Sequence, residues 1–576
     1  MFQKKRMKTF SNKYFSFKIF LTIILIFTGL FSFKLNLPLN IASKDKTHND
    51  KYKNNSVLID SNDKPYVSPS QYKIDILHYF LNIALFPNDK LLKGDVVITG
   101  ILLDKNLHQI ELNFYDNMKI SKLLLNNVQT KYNESGTKLT IFLNNAVKDT
   151  FNVRVIYQGT PKFMGFSSFV FGRRNGQFCV FNLNEPNYAS TWFPCNDIPS
   201  DKATYDIKIT NDSSQVSASN GKLISIETDS TRRTYYWRTR YPTSTYLVCL
   251  YSSNYVQFSD KYISLDKKDT MSVEYYVFPD QLEEAKVDFK EIPEMISFFA
   301  KKFGEYPFIK EKYGVAEFLW QMGAMESQTL IGIGSNFVTG KDMFTDIYSH
   351  ELAHHWFGDA VGPETWKDIW LNEGFASYCE ALYAEYKGGE GALRSAMMNK
   401  FHENFNNTLY NPGNNLFGTT VYDKGAWVLH MLRHQVGDSV FFSILRNYYN
   451  KFKFKNASTK EFEEVCEAVS GEDLSQFFNQ WIFYGTGILK LKYRWATKQE
   501  NNNYKLIVNI NQTQEEYKTY KFPLDIEINF ENKTKIIKSF FINKNQTEIE
   551  INFNEKPINI ILDPDNWLLA SLEQVK

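Results

Sequence analysis

Ten consecutive residues, HELAHHWFGD from His350 to Asp359, place three histidines and a glutamate within six positions. Residues four apart on a helix lie about 40° apart around the axis and about 6 Å apart along it. His350 and His354 therefore project side by side and can hold one ion, and neutral imidazole suits zinc. Glu351 stands beside the first of them, where its carboxylate can reach a water at the ion without ligating it. This is the HExxH arrangement, a helical zinc pair with a base beside it. The competing reading is a core helix whose histidines are simply satisfied, and a third ligand decides between the two. The segment WKDIWLNEGFASYCEALYAEY reads as a second amphipathic helix and carries Glu373, with Gly358, Gly362 and Pro363 providing the chain reversal between them. Three protein ligands leave a fourth corner open, the mark of a catalytic zinc site. His355 points about 100° away from His354 and is expected to pack rather than ligate.

The 576-residue chain is too long for one ordinary core. From Tyr72 to about Phe258, alternating or β-branched runs such as DVVITGILL and TFNVRVIYQG read as strands. Near Pro279 the period changes: Ala285, Phe289, Ile292, Ile296 and Phe299 follow helical spacing, with Pro293 expected to kink or split the helix. Helices then dominate to about Tyr484, and strands return after Gly487. The expected fold is multidomain α+β: an N-terminal all-β domain over 69–265, a mostly helical catalytic domain over 266–488 and a small β-sandwich over 489–576.

Residues 1–33 hold Lys4, Lys5, Arg6, Lys8, Lys13 and Lys18 and no acid, ahead of the apolar run Ile19–Phe33. A basic start followed by such a run fits an export signal, and it is short for a membrane span of roughly 20 residues. No clean small-x-small site follows, so a cleaved signal and a retained N-terminal anchor over residues 19–33 both stay open. Export places the body in a periplasmic, extracellular or outward-facing membrane-anchored setting. The polar stretch 34–68 reads as a linker. Without residues 1–33 the remainder carries more acids than bases, which gives nucleic acid no foothold. Five cysteines, far apart and without CxxC spacing, argue against a zinc ribbon or a disulfide scaffold.

With HELAHHWFGD and WKDIWLNEGFASY, spaced as they are, the chain resembles the zinc aminopeptidases related to aminopeptidase N and leukotriene hydrolase. Three further segments carry the resemblance in the same order: NEPNYASTWFPCNDIPSDKATY, GAMES at Gly323–Ser327, and VYDKGAWVLHML. It covers roughly residues 70–490. It implies a thermolysin-like catalytic domain and one Zn²⁺, held by His350, His354 and Glu373, with Glu351 as base. It also implies Tyr422 as the donor to the transition state. Glu326 and Glu185 would bind the substrate's terminal ammonium, while Gly323 and Ala324 would offer backbone groups to the peptide. The strand QTLIGIG that follows is expected to pair with an extended substrate. The implied partner is a peptide with a free N-terminus.

The chain departs from the family in three places. Ser327 stands where the exopeptidase motif normally has Asn, and Ser190 stands where many relatives carry Arg, which removes an ion pair. The long helical C-terminal domain of larger relatives is not in the sequence, which implies a more open cleft. The alternatives are a zinc endopeptidase or epoxide hydrolase on the same scaffold, or a peptide-binding protein without catalysis. The acid of GAMES argues against the endopeptidase. The presence of His350, Glu351, His354, Glu373 and Tyr422 together argues against the last.

Overall fold

The computed structural model describes residues 67–143, 147–500 and 503–575. The apolar run Ile19–Phe33 and nearly all of the expected linker lie outside the described residues. Among the described residues no helix is long and apolar enough to cross a membrane.

Period-two patterning builds the N-terminal domain. Leu91–Leu102 buries every second side chain along most of its length, so one face of the strand belongs to the core. It pairs antiparallel with Ile74–Phe86 on one side and Thr150–Gly159 on the other, inside a nine-stranded sheet. Ile74–Phe86 also pairs in parallel with Lys202–Asp212. Between those two strands in sequence the chain builds half of a second, four-stranded sheet, Phe169–Arg174 and Gln177–Asn182, and Val216–Ser219 and Leu250–Ser253 complete it later. The segment Leu183–Glu185 leaves the end of Gln177–Asn182 toward the neighbouring domain.

The catalytic domain opens with a five-stranded sheet ordered Val256–Ile263, Thr270–Val277, Lys312–Phe318, Ile331–Gly334, Ala324–Met325. The boundary expected between 265 and 266 therefore falls in the turn of a hairpin, since Tyr262 pairs with Met271 and Ile263 with Thr270. Both strands of that hairpin belong to the catalytic sheet. Strand propensity cannot separate two adjacent sheets, because it reports pleat and not partner. The helix expected around Pro293 is two helices, Leu282–Asp288 and Ile292–Phe303, with Pro293 in the first turn of the second. There its missing N–H costs nothing. The C-terminal strands form a sandwich of a four-stranded and a three-stranded sheet. Leu506, Val508 and Ile510 from one layer and Leu524, Ile526 and Ile528 from the other are buried.

Two lysines, Lys202 half-buried and Lys312 buried, reach across the junction of the first two domains in opposite directions. Lys202, from the N-terminal sheet, donates to the carbonyls of Asp359 (2.7 Å), Ala360 (3.3 Å) and Lys455 (3.0 Å). Lys312, from the catalytic sheet, donates to Ser219 O and Gly221 O and lies 4.4 Å from the Trp237 ring centroid. Buried carbonyls left without donors are costly, so each lysine joins the domains by satisfying backbone acceptors of the other. Lys202→Met is expected to lower stability by about 1–3 kcal/mol, the cost of stranding such acceptors, read as a lower urea midpoint at unchanged m-value.

Candidate active site

The helix Thr345–His354 is buried along the face that matters: Ser349, His350, Glu351 and His354 are all inaccessible or nearly so. Its i, i+4 histidines stand with ring centroids 4.7 Å apart. Each ring is oriented from behind. His350 Nδ1 donates to Glu380 Oε1 at 2.7 Å, and His354 Nδ1 donates to Phe357 O at 3.2 Å. With Nδ1 protonated, each Nε2 keeps its lone pair for a ligand. Gly358, at φ +139°, allows the chain to fold back here, since a Cβ would stand 3.1 Å from His354 Nδ1.

Glu373 enters from the helix Trp370–Gly388. Its Oε2 lies 3.4 Å from His350 Nε2 and 3.3 Å from His354 Nε2. Two donors bound at about 2.1 Å to a tetrahedral centre are separated by about 3.4 Å. The three residues therefore fit zinc by both donor type and spacing. Burial alone would raise the Glu373 carboxyl, but His354 and His350 outweigh it and hold the group down at about 2.

The other acids crowd the same space. Oxygens of Glu185, Glu326 and Glu373 lie within 4.8 Å of one another, as do ligand atoms of Glu326, Glu351 and His354. Glu185 Oε1, Glu326 Oε1 and Glu351 Oε2 are buried without a hydrogen-bond partner among the described residues. Burial, with Glu326 next, pushes Glu185 well above the usual carboxylate range, and burial raises Glu326 too. Glu351 is pushed up to about 8, first by burial, with His350 and His354 opposing and Glu326 and Glu373 adding. All of these side chains line one open cavity of about 440 Å³.

Tyr422 reaches this cavity from a π-helical turn, Thr420–Lys424, that leads into the helix Gly425–Val436. Its ring stacks on His350 at 5.9 Å and 11°. The turn sits close because Gly374 and Gly425 meet backbone to backbone; a Cβ on Gly374 would lie 2.8 Å from Gly425 Cα. Burial and then Glu373 raise the phenol far above its ordinary value, so it stays protonated.

Ala324–Met325 forms the outer strand of the catalytic sheet, antiparallel to Ile331–Gly334. Gly323 O accepts from Gly334 N at 3.0 Å. The strand expected to receive the peptide, QTLIGIG, is paired on both sides, with Lys312–Phe318 and with Ala324–Met325. The free edge beside the cavity therefore belongs to GAMES itself. Ser327 is buried and its Oγ shares a hydrogen bond with Tyr251 OH at 3.2 Å, so it faces the N-terminal domain. Ser190 donates through N and Oγ to Asp197 Oδ2, and Thr245 donates to Oδ1. Neutral donors thus hold a fully buried carboxylate, whose pKa burial raises to about 6.

His355 lies apart from the cluster. It is fully buried, shares a hydrogen bond with Tyr306 OH at 2.8 Å and packs between Tyr306, Phe308 and Tyr313. Glu380 is a functional residue that sequence reasoning missed. Its place seven residues after Glu373, two turns along the same helical face, was the available signal. Phe166, Trp320 and Phe417, which wall the cavity, carry no comparable signal because they come from three separate segments.

Comparison with known proteins agrees with this geometry. The peptidase M1 N-terminal domain matches residues 69–247, and the peptidase family M1 domain matches residues 287–481. The chain belongs to peptidase family M1, and the ion its site takes is zinc, one per chain. It is 25% identical over 509 residues to a probable aminopeptidase 1 of Sulfurisphaera tokodaii, covering 80% of this chain and 63% of the relative. It is 28% identical to human endoplasmic reticulum aminopeptidase 1 over 56% of this chain and 37% of that protein. The chain thus spans from about a third to under two thirds of the length of these relatives. The solved M1 zinc metallopeptidase of Deinococcus radiodurans superposes with a TM-score of 0.64 at 27% identity, over 71% of this chain and 93% of that one.

Two histidine substitutions separate ligand from packing. His354→Ala is expected to bring bound zinc from one per chain to near zero by elemental analysis. His355→Ala should keep the zinc and lose about 2–4 kcal/mol of stability, since it opens a cavity among three aromatic rings.

Proposed function

We propose that the protein is a zinc aminopeptidase that removes N-terminal residues from peptides. The observation that carries this reading is the pair of unpartnered buried oxygens on Glu185 and Glu326, beside the zinc ligands and in the same cavity. Two buried carboxylates with no cation are unfavourable unless a positive group enters. A substrate's terminal ammonium is such a group, and an internal amide is not.

Zinc, when bound, supplies Lewis acidity toward the scissile carbonyl and makes water acidic near neutral pH. The chain's own residues do the rest. Glu185 and Glu326 hold the ammonium and so set how deep the peptide enters. The free edge at Ala324, whose backbone groups face away from Ile331–Gly334, lets the peptide align as an added strand beside Gly323. Glu351, its Oε2 unpartnered and its carboxyl raised by burial, takes a proton from the attacking water and returns it to the leaving amine. The Tyr422 hydroxyl, kept protonated by its surroundings, donates to the oxyanion that develops at the carbonyl.

The first residue's side chain branches one atom from the ammonium, so it must lie beside Glu185 and Glu326. Leu183 precedes the first acid by two residues and Trp320 lies just ahead of GAMES. Phe166 meets Trp320 at 5.9 Å and Phe417 at 5.4 Å. Among the described residues no lysine or arginine lines the cavity. This wall favours a large apolar or aromatic first residue and disfavours an acidic one. For location, the basic start and apolar run of residues 1–33 support export, with or without a retained anchor.

Glu351→Gln is expected to retain zinc and lose about 10²-fold or more in kcat, the usual contribution of a positioned base. Peptide substrates with free and blocked N-termini, each with and without chelator, separate the classes: an aminopeptidase cleaves only the free one, and an endopeptidase cleaves both. On free aminoacyl substrates, Phe417→Ala should lower kcat/KM for Phe and Leu by about tenfold relative to Ala, the scale of a lost apolar contact. An unchanged ratio would remove Phe417 from the specificity wall.

A further inference from the structure

Behind the metal ligands lies a second charged cluster that the reaction described above does not use. Both oxygens of Glu380 are engaged: Oε1 accepts from His350 Nδ1 at 2.7 Å, and Oε2 accepts from Lys400 Nζ at 2.6 Å. Lys400 caps the C-terminal end of the helix Glu390–Asn399, and its side chain is only 13% exposed. Its ammonium also lies 4.0 Å from Asp423 Oδ1. Asp423 is the residue after Tyr422 in the π-helical turn, and its other oxygen accepts from His402 Nε2 at 2.8 Å. One nearly buried cation thus stands between the acid that orients a zinc ligand and the acid beside the tyrosine donor.

We propose that Lys400 is a positioning residue for both halves of the active site, acting through Glu380 on His350 and through Asp423 on Tyr422. This rests on the reading of His350, His354 and Glu373 as the zinc ligands and of Tyr422 as the donor.

The physical case is one of satisfaction and geometry. A carboxylate held at one oxygen by an imidazole N–H can still pivot about that bond. A second, charge-assisted hydrogen bond at the other oxygen removes the freedom, and such bonds are roughly twice as strong as neutral ones. Partners that hold a ligand histidine from behind typically govern metal affinity by 10–100-fold. A π-helical turn has irregular hydrogen bonding, so the Tyr422 turn gains more from an external ionic anchor than a regular helix would. His402, 41% exposed, engages Asp423, meets the Phe405 ring edge to face at 5.5 Å and stands at the solvent end of the chain of contacts.

The test uses the purified full chain and zinc itself, with affinity read by competition against a chromophoric chelator. Lys400→Met is expected to weaken zinc binding about tenfold or more, and Lys400→Arg to stay near the unsubstituted protein. In a Glu380→Gln background, Lys400→Met should weaken zinc little further, because both changes cut the same link. At saturating zinc, Lys400→Met and Asp423→Asn should both lower kcat with KM unchanged, while Asp423→Asn leaves zinc affinity intact. His402→Ala should also leave zinc affinity intact. If the Met variant fails to fold, Lys400→Gln takes its place in the same series.

A folded Lys400 variant that binds zinc within twofold of the unsubstituted protein would overturn the proposal. So would Arg and Met variants that are equally weak, or an Asp423→Asn variant with normal turnover. An unsubstituted chain that binds no zinc would instead sink the metal assignment beneath it.

Discussion

Buried negative charge in need of cations is the constraint around which the site is organised. Glu185, Glu326, Glu351 and Glu373 converge on one cavity, and Glu380 backs it. Removing carboxylates from water is costly, and attraction to a well-placed cation recovers that cost only where the geometry is good. The fold provides three cationic positions for this cluster: the site where His350, His354 and Glu373 fit a zinc ion, the pocket between Glu185 and Glu326 that we propose takes an ammonium, and Lys400 behind Glu380. Two of the three are supplied by molecules from outside the chain. The same arrangement therefore favours zinc and, on the proposed function, a substrate's N-terminus.

The domain arrangement follows from that requirement. Glu185 belongs to the N-terminal β domain, Glu326 to the edge of the catalytic sheet, and the zinc ligands to two helices. The proposed ammonium pocket exists only when the domains are held in register, and buried contacts run across the junction near the site. Lys202 and Lys312 exchange hydrogen bonds with backbone of the opposite domain. Tyr246 OH donates to Gly358 O at 3.1 Å and accepts from Asn372 Nδ2 at 3.2 Å, touching the segments beside His354 and Glu373. Ser327, the unusual end of GAMES, turns toward Tyr251 in the same junction. Its exchange for Asn thus acts on the seam between domains, where a smaller side chain still finds a hydroxyl partner.

Some of this was legible in the residues themselves, and the reasons differ from place to place. The HExxH spacing and Glu373 are legible because helical periodicity converts sequence separation directly into shared direction. Tyr422, Glu326 and Glu185 were placed by resemblance, since nothing in their local sequence distinguishes them from other tyrosines and glutamates. The edge of the catalytic sheet was misplaced by one strand. QTLIGIG has the stronger strand composition, yet pairing order depends on which neighbours arrive, and it ended between two others. The hairpin Val256–Val277 was divided for a similar reason: both strands read as β, and neither names its sheet.

The sequence by itself determined the local items: which helix carries the histidines, where Pro293 interrupts, which strands alternate, and that His355 faces away from its neighbours. These depend on bonds and periods within a few residues. Only the tertiary structure decided which acids share a cavity, that Phe166, Trp320 and Phe417 wall it, that Gly374 and Gly425 meet so the Tyr422 turn can approach, and that Lys400 lies between Glu380 and Asp423. Those are contacts between segments remote along the chain, set by the packing of layers, and no short-range pattern encodes where two such segments will meet.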